Sequence, residues 1–253
     1  MKRWHKEESE KLKDLYFRQK LPIDQIAKIL SRTTASINQR LSLKYKRNRS
    51  LPKVTIPTKI TPALARIHAH ICGDGNLFQY KEKDCYGYLG CYKPNRQRYR
   101  YGVGYTNKNQ RLIREFMEDT KSVFGLKPYY RNNYVKVKSR DVWILLKKLG
   151  AGKSREWYIS PKVMKANKGI KKNWIKGFFD DEACFDANGR IRVHSVNREG
   201  VTQLMRILRE FLPCHITPEK GYYPDRSVYL NINKSNREEY FSKIGSLRYQ
   251  FEK

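Results

Sequence analysis

LARIHAHICGDGNL, residues Leu64–Leu77, is the stretch that decides the fold of this chain. It predicts an apolar helix in which Ala65, Ala69 and Gly73 follow one another at intervals of four residues. Residues four apart lie on the same helical face, so these small residues form a stripe on which another backbone can pack closely. The helix is expected to end at Asp74-Gly75, which puts a carboxylate at the negative end of the helix dipole. An acid at that place indicates a nearby cation or a functional role.

A second stretch, WIKGFFDDEACF at Trp174–Phe185, has the same pattern. In it, Gly177 precedes Asp181 by four residues, and Glu182 is expected to end the helix. Alignment of Asp74 with Glu182 gives an offset of 182 − 74 = 108 residues. Two helices with small-residue faces, each ending in an acid, can pack on each other and bring two carboxylates together.

The two stretches resemble the paired motifs of the single-chain LAGLIDADG homing endonucleases over Ile67–Gly75 and Ile175–Ala183. The resemblance covers residues 61–250, although only the two motifs are specific. It implies an α+β fold in which two pseudo-symmetric αββαββα subdomains form a DNA-binding β-saddle, with the motif helices at the interface between them. Two residues depart from the family pattern: Asp181 stands where a small residue is usual, and Ala183 replaces the usual closing Gly.

The resemblance also implies the chemistry of the site. The family's metal-binding acid falls on Asp74 and Glu182, and the preceding residues, Gly73 and Asp181, are further candidate metal ligands. Mg²⁺, or Mn²⁺ in its place, suits carboxylate, water and phosphate oxygens, and can activate a water and stabilise a leaving oxygen. The alternative is that the two acids only end their helices in solvent.

A basic residue is expected to complete such a site by polarising the attacked phosphate or the water. In the resembled family, lysines on strands near the acids are often assigned this role. In the expected αββαββα order, Lys127 and Lys220 fall on the third strand of the first and second half, so both are candidate catalytic residues. Lys136 and Lys138 are rivals, and each lysine taken singly can instead be an ordinary phosphate contact.

The first motif also contains His68, His70 and Cys72, and the spacing of His68 and Cys72 allows a zinc site to be considered. No second ligand pair at metal spacing follows. Because the motif alignment places all three within a packed helix, core packing is the favoured interpretation.

The composition indicates a polyanion-binding protein. Lys and Arg number 54 against 24 Asp and Glu, so the formal net charge of the 253 residues is +30. Such an excess neutralises phosphates and releases counterions, and no enzyme acting on small molecules needs it. A ribosomal or merely basic protein stays possible, but the 13% aromatic content predicts a folded core.

The search for targeting segments and the pattern of cysteines both predict an intracellular protein. No apolar run is long enough to cross a bilayer, and no apolar segment suggests a signal peptide. The five cysteines are odd in number and lack a CxxC pair. They favour a reducing compartment, either a prokaryotic cytoplasm or an organelle.

Residues 1–45 predict an independent module of three short helices, with a tight turn before the last. The pattern is similar to Myb-like helix-turn-helix modules, whose last helix enters the major groove. The candidate DNA contacts of the module are Thr34, Asn38, Gln39 and Arg40. The alternative is a helical capping domain that binds nothing. Residues 46–60 are predicted to be a basic linker stiffened by Pro52 and Pro57.

The remainder is predicted to form two subdomains, 61–155 and 156–253. In Arg98–Thr106, RYRYGVGYT, period-two alternation predicts a half-buried strand with Tyr99 and Tyr101 facing the core. The exposed faces of this and the corresponding strands are basic, a form suited to the major groove. They carry the remaining candidate DNA contacts: Arg98, Arg100, Thr106, Lys136, Lys138, Arg190, Arg192 and His194.

The sequence therefore predicts a site-specific double-strand DNA endonuclease, working as a monomer with an internal pseudo-two-fold on a long, partly asymmetric site. The alternative is a catalytically inactive DNA- or RNA-binding protein on the same scaffold, such as an intron maturase or a transcription regulator. An RNA-binding protein that uses its tyrosines for stacking is a third possibility. Retention of an acid in both motifs favours the nuclease.

Overall fold

The chain divides into two compact units, Met1–Leu51 and Pro52–Lys253. The computed structural model describes residues 4–44, 54–83, 97–218 and 227–249, without the side chains of residues 44, 82, 83, 97 and 98. Among these residues, no helix is both long enough and apolar enough to cross a membrane.

The first unit is helical. Its described residues form α1 Lys6–Lys13, a π-helical turn Asp14–Arg18, α2 Ile23–Ile29 and α3 Thr34–Lys44. Six apolar side chains from these elements make its core: Leu12, Leu15, Ile26, Ala27, Ile37 and Leu41. In the turn before α3, Arg32 donates hydrogen bonds of 2.7 and 2.8 Å to the Glu8 carboxylate and lies 4.6 Å from the centre of the Trp4 ring. These contacts fasten the turn to α1, whereas DNA binding by this unit stays a prediction.

The second unit contains two sets of elements, each in the order αββαββα. The first set is α4 Pro62–Cys72, β1 Gly75–Lys83, β2 Gln97–Thr106, α5 Gln110–Phe124, β3 Tyr129–Arg131, β4 Tyr134–Val137 and α6 Arg140–Lys148. A short helix, α7 Pro161–Met164, follows. The second set is α8 Lys168–Glu182, β5 Ala183–Phe185, β6 Ile191–Ser195, α9 Arg198–Leu208, β7 His215–Pro218, β8 Val228–Ile232 and α10 Arg237–Lys243, the last preceded by a 3₁₀ turn at Lys234–Asn236.

Each set of strands forms one antiparallel sheet. The strand orders are β1-β2-β4-β3 and β5-β6-β8-β7, so the two sheets have the same topology. Helices cover one face of each sheet: Val103 and Val137, which are direct partners, are buried with side chains of α5 and α6. In the second sheet, Val193 and its partner Leu230 are buried with α8 and α9. The expected mixed fold with two antiparallel sheets is confirmed.

Local sequence fixes where the two motif helices begin and end. The Thr61 hydroxyl accepts a hydrogen bond from the backbone N–H of Leu64, and Pro62 occupies the first turn of α4. The Asn167 side chain caps α8 in the same way. At its other end, α8 leads directly into β5, because Ala183 already has extended backbone angles. Glu182 is therefore the last residue of its helix.

Small residues let α4 and α8 pack almost backbone to backbone. A Cβ on Gly177 would lie 3.2 Å from the Cβ of Ala69 and 3.3 Å from the carbonyl oxygen of Arg66. A Cβ on Gly73 would lie only 2.9 Å from the Cβ of Asp181. This helix contact joins the two halves of the second unit, and the hydrophobic cores of the two halves meet at it.

We expect Gly177→Leu to destabilise the second unit by about 1–3 kcal/mol or more, because the added side chain must push α4 away. Thermal and denaturant unfolding followed by circular dichroism would measure the loss. The control is Gly169→Leu, the same change at an exposed position in the first turn of α8, which should stay within about 0.5 kcal/mol. Equal stability of the two variants would show that the helices do not approach this closely.

Candidate active site

The two motif acids lie at the ends of packed helices. Asp74 follows α4 and is exposed, whereas Glu182 ends α8 and is half-buried. The close contact between Gly73 and Asp181, the residues immediately before them, brings the two helix ends together. β1 begins one residue after Asp74 and β5 one residue after Glu182, so each acid stands where a motif helix leads into its sheet.

Burial and neighbouring charges change the protonation of both motif acids. Partial burial, with the nearby charge of Asp181, raises the pKa of Asp74 from its usual 3.8 to about 6. Burial and the charges of Asp74 and Asp181 raise the pKa of Glu182 from 4.5 to about 7. The charge of Arg248 opposes both increases. A cation bound between two such acids would favour their ionised forms and so offset the effects that raise their pKa values.

Asn107, which follows β2, fixes the orientation of Asp74. Its side-chain N–H₂ donates hydrogen bonds of 2.8 Å to Asp74 Oδ2 and 3.2 Å to Asp181 Oδ1. It therefore bridges residues of both motifs. Asn107 is not among the residues predicted from the sequence, although its position directly after a predicted strand facing DNA was a usable signal.

Asp181 is a core residue whose contacts do not suit a metal ligand. Its Oδ2 lies 2.8 Å from Nδ1 of His70, and its Oδ1 accepts a 2.8 Å hydrogen bond from the Tyr105 hydroxyl. Both oxygens are thus bonded within the protein, and the side chain is buried. These contacts argue against direct metal binding by Asp181, which stays an untested prediction. A role for the Gly73 carbonyl stays a prediction.

His70 carries a buried positive charge between two acids. Burial alone would lower its pKa, but the charge and hydrogen bond of Asp181, with Glu115, raise it to about 10. Its other nitrogen, Nε2, lies 3.7 Å from Glu115 Oε2. Glu115 also contacts Lys176 Nζ at 3.2 Å. His70 is therefore an imidazolium that compensates Asp181 in the interface between α4 and α8.

His68 and Cys72 belong to the core, as expected. The Trp174 indole N–H donates a 2.8 Å hydrogen bond to His68 Nδ1 across the helix contact. Burial lowers the pKa of His68 to about 3, so the ring is neutral and can accept this bond. Among the described residues, no group of three or more His, Cys, Asp and Glu side chains is placed to hold a metal ion.

Asp74 and Glu182 nonetheless fit a hard divalent cation. Mg²⁺ usually keeps several waters and takes one or two carboxylates together with substrate phosphates, rather than a complete protein cage. Two partly exposed carboxylates with raised pKa values supply that donor set. Glu182 also lines a cleft of about 620 Å³, which has room for solvent and substrate oxygens.

Of the two predicted catalytic lysines, the structure describes only Lys127. Lys127 lies in the loop before β3, not on the strand, because β3 begins at Tyr129. Lys220 lies outside the described residues. Arg248 approaches the end of α8, with Nη1 donating a 2.9 Å hydrogen bond to the carbonyl oxygen of Asp181. No motif marks Arg248 in the sequence, so only the fold reveals it.

The first sheet presents most of the predicted DNA contacts on its uncovered face. Arg100 and Thr106 on β2 are exposed, as is Lys138 just after β4, and Lys136 on β4 is half-buried. Arg98 pairs with Glu82 through the backbone, but its side chain lies outside the described part. These positions agree with a basic face, and contact with DNA stays a prediction.

Aromatic side chains cover two glycines of β2 on this sheet. A Cβ on Gly102 would meet the Phe78 ring at 2.2 Å, and one on Gly104 would meet the Tyr134 hydroxyl at 2.4 Å. Only glycine leaves room for these rings. The Lys136 ammonium stands 4.6 Å above the Phe78 ring centre, a favourable cation–π distance.

The predicted burial of Tyr99 is wrong. Tyr99 is 48% exposed, whereas Val103 and Tyr105 on the same strand are fully buried, and Tyr101 is intermediate. The alternation gives the correct face of β2. The helices cover only the end of the strand near Tyr105, so Tyr99 extends beyond the core.

The second sheet contributes fewer basic side chains than expected. Arg190 precedes β6, and its guanidinium bonds the Asp186 carboxylate at 2.7 Å within the turn. Arg192 lies on the uncovered face, with Nε donating a 3.1 Å hydrogen bond to Asn231 Oδ1. His194 is exposed on the same face. Arg192 and His194 are thus placed for DNA contact, whereas Arg190 stabilises the turn.

The four predicted contacts of the first unit lie on α3. Thr34 is exposed at its start, and Gln39 is half-buried. The Asn38 side chain donates a 3.0 Å hydrogen bond to the Thr34 carbonyl. The Arg40 guanidinium donates to the Ser9 hydroxyl at 2.8 and 3.2 Å and lies 5.5 Å from the Trp4 ring centre. Arg40 therefore supports the fold of its own unit.

No protein-family model and no curated protein sequence matches this chain. Among solved structures, it is similar to the homing endonuclease I-DmoI in complex with DNA and Mn, with a TM-score of 0.52 and 20% identity over 74% of this chain and 98% of that chain. The homing endonuclease I-WcaI bound to its DNA recognition sequence gives 0.46, with 16% identity over 74% and 83%. The N-terminal LAGLIDADG domain of DUF199/WhiA gives 0.46, with 7% identity over 76% and 83%. At this identity the likeness to I-DmoI establishes a LAGLIDADG-type fold, and the two lower scores add no argument.

Removal of either acid's charge should not destabilise the metal-free protein. Because the folded pKa values of Asp74 and Glu182 are raised, the folded state retains protons that the unfolded chain loses between about pH 4 and about pH 7. Metal-free stability should therefore fall as the pH rises through this range. Asp74→Asn and Glu182→Gln should lose less, and at neutral pH each should equal or exceed the wild type, by about 0.3–1 kcal/mol from the helix dipole alone.

Thermal melts in EDTA across this pH range would test the expectation. The control is Glu199→Gln, which removes an acid from the first turn of α9, where the dipole favours it. This variant should be slightly less stable than the wild type. A lower melting temperature for Asp74→Asn or Glu182→Gln at neutral pH would mean that these acids hold the fold together.

Proposed function

We propose that this chain is a site-specific, metal-dependent DNA endonuclease of the homing type. The observation that carries the proposal is the position of Asp74 and Glu182 at the ends of two helices that touch through Gly73 and Asp181. Their raised pKa values show an electrostatic penalty that nothing in the fold requires. Local penalties of this kind are tolerated at functional sites.

The proposed partner is double-stranded DNA with a long, partly asymmetric site. The net charge of +30 and the basic, uncovered faces of both sheets support this partner. I-DmoI, whose fold this chain resembles, was crystallised in complex with DNA and Mn. One chain with two similar halves would act as a monomer with an internal pseudo-two-fold, each half contacting one part of the site.

In the proposed reaction, Asp74 and Glu182 would hold Mg²⁺ or Mn²⁺. The chemistry supplied by such a cation is activation of a water and stabilisation of the leaving oxygen. Asn107 keeps the Asp74 carboxylate oriented, while His70 and Tyr105 hold Asp181 away from the site. The water oxygen bonds to phosphorus, the bond from phosphorus to one ester oxygen breaks, and that oxygen takes up a proton.

The compartment that we propose is a reducing one, a prokaryotic cytoplasm or an organelle. The described cysteines, Cys72, Cys184 and Cys214, are free thiols, and one of them is exposed. Exposed thiols are compatible with such a compartment. Cys85 and Cys91 lie outside the described residues.

Cleavage by the wild type should require a divalent cation and both acids. A DNA site can be selected from a randomised duplex library in Ca²⁺, the ion with which I-DmoI was crystallised on DNA. The selected site is then cloned into a supercoiled plasmid. We expect double-strand cleavage in Mg²⁺ or Mn²⁺ and none in EDTA, whereas Asp74→Asn and Glu182→Gln should bind the site and leave at most nicked circles.

Glu199→Gln, the exposed acid on α9, serves as the matched control and should cut like the wild type. Tight, selective DNA binding without cleavage in any divalent cation would favour the inactive binder, such as a maturase or a transcription regulator. Preference for single-stranded RNA over the duplex library would favour the RNA-binding alternative.

Removal of residues 1–45 should weaken binding to the selected site and flatten the slope of log Kd against log salt concentration, because phosphate contacts are lost. Metal-dependent cleavage at saturating protein should persist, since both acids lie in the second unit. The measurement is a gel-shift titration at several salt concentrations. Unchanged affinity and slope would assign the first unit a role other than DNA contact.

A further inference from the structure

The C-terminal segment Ser246–Tyr249 is bound to the end of α8 by a single buried carboxylate. Asp180 is fully buried and accepts hydrogen bonds from the backbone N–H groups of Leu247, at 3.1 Å, and Arg248, at 3.3 Å. The Ser246 hydroxyl donates to the same carboxylate. The Tyr249 hydroxyl adds a 2.7 Å hydrogen bond to the carbonyl of Ala183. These contacts fix the segment beside the helix end that carries Glu182.

This segment places the guanidinium of Arg248 at the end of α8, the helix that carries Glu182. Nη1 donates to the carbonyl oxygens of Asp181, at 2.9 Å, and Asp180, at 3.4 Å, so the group sits on the negative end of the α8 dipole. Arg248 is nevertheless exposed. A guanidinium has five N–H donors, and the carbonyl contacts use the hydrogens of one nitrogen.

The charge of Arg248 reaches both motif acids. It lowers the pKa of Asp74 and also that of Glu182, against the larger opposing effects of burial and of the neighbouring carboxylates. Lys147 and Lys153 also line the cleft at Glu182. Arg248 differs from them in being fixed by a buried carboxylate and by the backbone of the helix that bears the acid.

We infer that Arg248 is a catalytic residue that binds the phosphate to be cut, next to Asp74 and Glu182, and stabilises the negative charge that develops on its oxygens. Asp180 is the positioning residue that sets Arg248 in place. This inference rests on the proposed nuclease function. A planar guanidinium matches two phosphate oxygens at once, which a lysine cannot do. An arginine with fixed carbonyl contacts also needs no reorganisation when the charge develops.

The test compares Arg248→Ala and Arg248→Lys with Arg209→Ala on the DNA site selected for the wild type. Arg209, just after α9, is a suitable control. It is also exposed, and its Nε donates a hydrogen bond to a backbone carbonyl, that of Cys214. Single-turnover cleavage is measured in saturating Mg²⁺, and duplex binding in Ca²⁺. For Arg248→Ala we expect about a 100-fold lower rate, less than about a tenfold loss of binding, and partial recovery with added guanidinium ion.

Arg248→Lys should retain part of the rate, and Arg209→Ala all of it. Melting temperatures in EDTA identify any loss of folding. If Arg248→Ala unfolds, the cleavage rate of Arg248→Lys, with and without guanidinium ion, tests the inference in its place. Cleavage by Arg248→Ala close to the wild-type rate would overturn the inference. So would a loss that neither guanidinium nor lysine restores, because Arg248 would then only cap the helix. Failure of the wild type itself to cut in Mg²⁺ or Mn²⁺ would instead count against the proposed function.

Discussion

The contact between α4 and α8 determines both the fold of the second unit and the distance between its two motif acids. Gly73 and Gly177 leave so little room that an added Cβ would lie 2.9 and 3.2 Å from the opposing helix. Since interiors pack at crystal-like density, even one methyl group would have to move a helix. A shift of α4 would displace β1, which begins at Gly75, and with it the first sheet. The helix contact therefore sets the geometry of the whole unit.

The same contact contains charges that a helix interface normally excludes. Asp181 is buried against His70, and Arg66 bonds Asp119 at 2.7 and 2.9 Å at the edge of the interface. Asp181 and Asp119 each have a cation within hydrogen-bond distance, whereas the buried Asp180 is held by the Ser246 hydroxyl and by backbone N–H groups. These contacts offset the cost of removing the carboxylates from water. The motif acids differ, because burial and neighbouring carboxylates raise the pKa values of both Asp74 and Glu182, and the charge of Arg248 offsets this only in part. The structural acids thus have contacts that offset the cost of their burial, whereas the candidate catalytic acids keep raised pKa values.

The sequence was most informative where short-range patterns control structure. Small residues at intervals of four predicted the helix contact, and period-two alternation predicted the buried face of β2. The alternation could not show where the core ends, so Tyr99 was misplaced. The start of β3 depends on pairing of Tyr129 with Lys136, not on local residues, which is why Lys127 falls in a loop. Arg248 depends on a hydrogen bond to Asp180, far away in the chain, and no local pattern reports such a contact.

The departure of Asp181 from a small residue has a consequence for assembly. Asp181 and Gly73 occupy matching places in the two motifs and touch each other. If the α8 helices of two chains were to pair in this manner, one Asp181 would meet another, and both would lack His70, which α4 supplies. Two buried carboxylates without a cation cost several kcal/mol, on the order of the stability of many domains. Pairing of the second half with its own copy is therefore disfavoured, and Asp181 ties the second half to the half that supplies His70.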